Sequence, residues 1–164
     1  MTRHASACLP WQPGPHTLGA VYGLDFGQVD ATALMDAMCR SDAVALRVTP
    51  WRLLLLEGAV PISVPGLSLD ANWHGQRIDA CVGAPRCLQA SVETRALAHQ
   101  LAPLITGRLH VSGCAKGCAR SRPADVCVTG RNGQFDIVFN ASADAQPSLS
   151  GLEPEQVFAF FGTS

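Results

Sequence analysis

The chain has 164 residues, of which 48% are apolar and 15% charged, which suits one globular domain or two small ones sharing a core and excludes a disordered chain. The net charge of −1 gives no reason to expect nucleic acid, and no apolar run approaches the ~20 residues of a membrane span. Met1 to Pro15 lacks an apolar stretch and holds Pro10, Pro13 and Pro15, so no secretory leader is expected and the cytoplasm is the expected compartment.

Residues 1–16, with Trp11-Gln12-Pro13-Gly14-Pro15, read as an arm or linker. Leu18 to Tyr22 reads as a strand. Asp30 to Cys39 has helical spacing through Leu34, Met35 and Met38, with Asp30 as N-cap. Ala43 to Val48 and Arg52 to Glu57 are two further strands. The resulting β-α-β-β unit, 17–72, is half of a ferredoxin-like fold and too small to stand well alone. Residues 58–80 are rich in turn formers. Ser91 to Leu104 is a helix candidate ending near Pro103. Arg108 to Ser112 is a strand that runs into Gly113-Cys114. Val126 to Thr129 and Phe135 to Asn140 flank Asn132-Gly133, a hairpin signal. Pro154 opens a last helix to Phe161. The fold class is therefore α+β, with a second segment over 73–164.

The charge is unevenly spread. Between Arg77 and Arg122 there are seven basic residues and two acids, so that window carries +5 and the remainder −6. A basic centre in a neutral chain suits a small anionic ligand. Eleven of the twelve basic residues are Arg, and the single Lys is Lys116.

Seven cysteines without a leader argue against a disulfide framework and for metal binding. Four are paired closely: Cys81 and Cys87 as C-x5-C, Cys114 and Cys118 as C-x3-C. Four thiolates suit zinc or an iron–sulfur cluster. A C-x5-C loop is wide for a zinc knuckle, Gly83-Ala84-Pro85 enforces an open loop, and Gly113 and Gly117 let the backbone approach a bulky centre. The spacing favours [4Fe–4S], with Cys81, Cys87, Cys114 and Cys118 as ligands, over a zinc-stabilised binding module. Cys8, Cys39 and Cys127 are isolated; Cys127 reads as a packed strand residue and Cys8 as an exposed tail thiol. His110 shares a strand face with Arg108 and Ser112, as a ligand-facing or a structural histidine. Trp51 reads as core.

C-x5-C followed by Gly-C-x3-C resembles the cluster-bearing half of the siroheme-type nitrite/sulfite reductase superfamily. Within it, His110-Val-Ser-Gly-Cys-Ala-Lys-Gly-Cys118, Thr49-Pro50-Trp51-Arg52, Phe26-Gly27-Gln28 and Glu93-Thr-Arg-Ala-Leu97 resemble the precorrin-3B synthase family over about residues 18–161. The resemblance implies a half ferredoxin-like domain over 17–72 and a 4Fe–4S domain over 73–164, forming the C-terminal half of a two-half protein. It implies O₂-dependent hydroxylation of precorrin-3A with γ-lactone formation, in aerobic cobalamin synthesis. It also implies an external electron donor, and a missing N-terminal half supplied by another chain or by a homodimer. The substrate is a polycarboxylate tetrapyrrole, and Arg77, Arg86, Lys116, Arg120 and Arg122 are the candidates to bind it. A separate mononuclear non-haem iron for O₂ would need His and carboxylate ligands, and the five histidines form no H-x-H or H-x3-H pair. Two alternatives stay open: a fragment of a siroheme-dependent sulfite or nitrite reductase, and a non-catalytic electron-transfer subunit or orphan half.

Overall fold

A computed structural model describes residues 11–162. The Cys8 reading lies outside them. The chain divides between Gly75 and Gln76 into two compact units.

The first unit is built on strand β2 (Gly19–Leu24), helix α1 (Ala31–Arg40), β3 (Ala45–Val48) and β4 (Leu53–Glu57). The Asp30 carboxylate caps α1 by accepting from the Thr32 and Ala33 N–H groups at 2.9 and 3.1 Å. Strand β4 lies between β2 and β3 and is antiparallel to both, the split β-α-β arrangement of half a ferredoxin-like sheet. Four consecutive leucines suit this central position, because both faces are buried. Leu54 and Leu56 pack with Tyr22 under α1, and Leu53 and Leu55 pack with Val21 against Trp11 and Trp73. Each such leucine gains about 1.5–3 kcal/mol over an exposed one.

Two strands enlarge the sheet beyond the expected unit. β1 (Gly14–His16) pairs antiparallel with β2, so the last three residues of the expected 1–16 arm are sheet rather than linker. β5 (Leu67–Ser68) pairs with the end of β2. Trp51 is 55% exposed and is not core, which corrects the sequence reading; the Trp73 ring takes the packed place, with Nε1 donating to Asp25 at 2.8 Å.

The second unit is a five-stranded mixed sheet in the order β10-β9-β8-β7-β6. Its strands are β6 (Ile78–Ala80), β7 (Leu109–Ser112), β8 (Ala124–Arg131), β9 (Gln134–Ala141) and β10 (Leu149–Leu152). β6, β7 and β8 run parallel, and β8, β9 and β10 antiparallel. Asn132 and Gly133, with φ of 52° and 85°, form the expected tight turn between β8 and β9. Helix α2 (Arg95–Leu101) packs on β6 and β7, and α3 (Pro154–Gly162) on α2 and β9. Because side chains alternate, one sheet face carries Leu109, Val111, Val128 and Ile137, an apolar surface for the helices. The other carries Asp79, His110 and Cys127 in one register row, and it is here that the cysteine loops gather.

Candidate metal centre

The two cysteine pairs lie on loops that leave neighbouring parallel strands at the same end. Cys81 directly follows β6, and its N–H donates to the Val111 carbonyl at 3.0 Å, extending the ladder by one residue. Cys114 stands two residues beyond the end of β7. The C-terminal ends of adjacent parallel strands are where open α/β sheets place their ligands.

The first loop is closed by Cys87 N–H to the Gly83 carbonyl at 2.9 Å and Ala84 N–H to the Val92 carbonyl at 2.9 Å. The second is a tight turn with Gly117 N–H to the Cys114 carbonyl at 3.4 Å and Arg120 N–H to the Gly117 carbonyl at 3.0 Å. Three bonds tie the loops together. Ser91 N–H donates to the Gly113 carbonyl at 3.0 Å, Ala119 N–H to Cys81 Sγ at 3.4 Å, and Ser112 Oγ lies 3.3 Å from Cys81 Sγ and 2.7 Å from the Cys114 carbonyl. Gly113 is a close-approach position, since a Cβ there would stand 2.5 Å from Ala90 Cβ. Gly117 has φ +58°, and a Cβ on it would meet Ala143 at 3.0 Å.

All six described cysteines are free thiols. Cys81, Cys87 and Cys114 are half-buried and Cys118 is exposed. Among the described residues, no three His, Cys, Asp or Glu side chains converge as ligands of a single ion. The mononuclear non-haem iron admitted by the sequence has no such group either among these residues. Four soft donors on two tethered loops, with a backbone N–H already directed at one sulfur, fit a wider iron–sulfur centre.

The five basic candidates separate into two kinds. Arg77 is committed to the protein. Its guanidinium donates to the carbonyls of Ile105, Gly107 (3.1 Å) and Ala102 (2.9 Å), closing the segment after α2, and burial lowers its pKa. Arg120 is a brace too: Nε and Nη2 donate to the Pro123 carbonyl at 2.9 and 2.8 Å, and Nη1 lies 3.5 Å from Asp79. Both guanidiniums are thus engaged by acceptors of the protein itself. Arg86, Lys116 and Arg122 are exposed on or beside the loops.

Asp79, 4% exposed, was not singled out by the sequence. It accepts from Arg108 at 3.3 Å and Arg120 at 3.5 Å, pinning the second loop to β6. The available signal was its being one of only two acids within the basic window. Thr94 was missed as well; its hydroxyl donates to the Cys81 carbonyl at 2.6 Å, and this tie helps to delay the start of α2 to Arg95. His110 and Cys127 are fully buried. Burial lowers the His110 pKa, with Asp79 opposing and Arg120 adding to the shift. Burial raises the Cys127 thiol, partly offset by the Thr129 hydroxyl.

No family model matches the chain. Among solved structures, the NirA protein of Mycobacterium tuberculosis superposes with a TM-score of 0.57 at 19% identity, over 91% of this chain and 37% of that one. The fold is of the nitrite/sulfite reductase type. A sulfite reductase (ferredoxin) of Mycobacterium tuberculosis is 27% identical over 61% of this chain and 22% of its own length. A precorrin-3B synthase of a Sinorhizobium species is 34% identical over 83% of this chain. The chain is a homologue of precorrin-3B synthase within that superfamily, and the match spans 35% of that relative's length.

Proposed function

We propose that the chain is the cluster-bearing part of a cytoplasmic oxidoreductase of aerobic cobalamin synthesis, of the precorrin-3B synthase kind. The observation that supports the reading is that the loop carrying Cys81 and Cys87 and the loop carrying Cys114 and Cys118 leave the adjacent ends of β6 and β7 and are tied to each other by hydrogen bonds. These four cysteines would hold a [4Fe–4S] cluster, which when bound supplies one-electron transfer from an external donor. The substrate in this reading is precorrin-3A, hydroxylated by O₂ to precorrin-3B with closure of a γ-lactone.

The chain's own residues bind and position. Arg86, Lys116 and Arg122 surround the loops without a described ion-pair partner, so their charges are free to meet substrate carboxylates. Arg77 and Arg120 act indirectly by fixing the backbone that carries the cysteines. Free thiols throughout the described residues accord with a reducing compartment. No helix is long and apolar enough to cross a membrane.

The reading also needs the remainder of the catalytic pocket, from another chain, a second copy or further sequence. Strand β3 supports this. Among the described strands it pairs only with β4; Val48 on it is 75% exposed and Val44, just before it, 81%.

The test is anaerobic titration of the iron-loaded chain with precorrin-3A, followed by absorbance. Joint replacement of Arg86, Lys116 and Arg122 by Ala should weaken binding at least about tenfold, whereas Arg47→Ala on β3 should not. Equal affinities would remove these residues from the pocket. The mycobacterial relatives favour a second reading, a siroheme-dependent reductase fragment, and purified protein carrying siroheme absorbance would select it.

A further inference from the structure

His110 lies on the central parallel strand of the second unit with no exposed surface, in register with Asp79 on one side and Cys127 on the other. Its two ring nitrogens face two thiols. Nδ1 is 3.6 Å from Cys127 Sγ, and Nε2 is 3.8 Å from Cys81 Sγ. Gly117 of the second cysteine loop lies next to the ring; a Cβ there would stand 3.4 Å from His110 Cε1. Only one of the two sulfurs belongs to the proposed ligand set.

We propose that His110 is a positioning residue for Cys81, donating its Nε2–H to that ligand's sulfur in a tautomer set by the buried Cys127 thiol. The inference rests on the cluster reading above. A ligating cysteine is a thiolate and can only accept, so a lone pair on Nε2 would face a lone pair on sulfur. The other side of the ring completes the polarity. Cys127 has no exposed surface and packs with Val138 and Ala143, so it stays a thiol and gives its S–H to Nδ1. Thr129 Oγ1, 3.5 Å from Cys127 Sγ, can donate in turn. All three bonds then point one way, from Thr129 through Cys127 and His110 to Cys81.

With Ala119 N–H at 3.4 Å, the Cys81 sulfur collects two donor groups, while the neighbouring Ser112 hydroxyl gives its proton to the Cys114 carbonyl at 2.7 Å. Hydrogen bonds to a cluster's sulfurs stabilise its more negative, reduced form and raise the potential. Cys81 would thus be the ligand through which the sheet sets the potential.

Two measurements on the full chain test this. The first is the His110 tautomer from ring ¹⁵N shifts by NMR, in wild type and Cys127→Ala. The second is the cluster midpoint potential, with iron content measured alongside, in wild type, His110→Leu, His110→Gln and Cys127→Ala. We expect Nε2–H in the wild type, a loss of that preference in Cys127→Ala, a negative shift of potential in His110→Leu, and recovery of most of it in His110→Gln, whose side-chain amide can still donate. Should His110→Leu not fold, a smaller negative shift in Cys127→Ala carries the same information. An Nδ1–H tautomer overturns the proposal, and so does an unchanged potential at full iron content, with the cluster site left standing. A wild-type chain that takes up no iron overturns both the site and the tuning.

Discussion

Asp79 accepts from Arg108 on β7 and from Arg120 on the second cysteine loop while lying almost wholly out of water. A buried acceptor with two charged donors is costly to disturb. Asp79→Asn should destabilise the fold by about 1–3 kcal/mol, seen as a lower urea midpoint with an unchanged slope. It should also reduce iron retention, because Arg120 then loses one of its two anchors. An unchanged midpoint would show that the pair contributes nothing. Arg77 gives a sharper contrast with the sequence. Arg77→Met would leave the carbonyls of Ala102 and Gly107 short of a donor, so it should cost stability on the same scale of about 1–3 kcal/mol without altering tetrapyrrole affinity. A loss of affinity in a variant of normal stability would return Arg77 to the pocket. Nothing in residue type or spacing separates Arg77 and Arg120 from Arg86 and Arg122. The difference is which carbonyls the fold places within reach.

At the scale of elements, what was legible is what local chemistry decides. Asp30 capped α1 as its position implied, and Asn132-Gly133 turned the β8–β9 hairpin with both residues at positive φ. The tetraleucine run became the central strand of its sheet. The elements that escaped are those that tertiary pairing makes. β6 is three residues long and emerges from a turn-rich stretch, so its hydrogen bonds to β7, not its sequence, define it. β1 forms around Pro15 at the edge of its sheet, where a missing N–H is tolerated. The two cysteine pairs, Cys81 with Cys87 and Cys114 with Cys118, were legible as spacings in the sequence; the tethers through Thr94, Ser112 and Ala119 were not. Those tethers make a prediction. Gly113→Ala would drive a methyl to within 2.5 Å of Ala90 and push the loops apart. Circular dichroism should stay close to wild type while iron per chain falls. Full iron content in this variant would mean the loop approach is not needed for the site.

At the scale of the whole molecule, the chain accounts for about a third of the precorrin-3B synthase it matches, and among the described strands β3 pairs along one edge only. Exposed Val48 on such an edge, with exposed Val44 just before it, is a pairing hazard unless something covers it. We expect the chain to self-associate or to bind the complementary part of a two-part enzyme, and Val48→Lys to weaken that association in sedimentation velocity without lowering iron content. A wild-type chain that sediments as a monomer at all accessible concentrations, and ignores the complementary part, would contradict this.

The cluster reading depends on the four cysteines. The most direct measurement is iron and acid-labile sulfide per chain after anaerobic purification, with an EPR spectrum of the dithionite-reduced protein, in wild type and in Cys81→Ser, Cys114→Ser and Cys39→Ser. About four irons and four sulfides with an S = ½ cubane signal, lost in the first two variants and kept in the third, is the predicted result. Zinc in place of iron, or iron that survives loss of Cys81 and Cys114, would contradict the account.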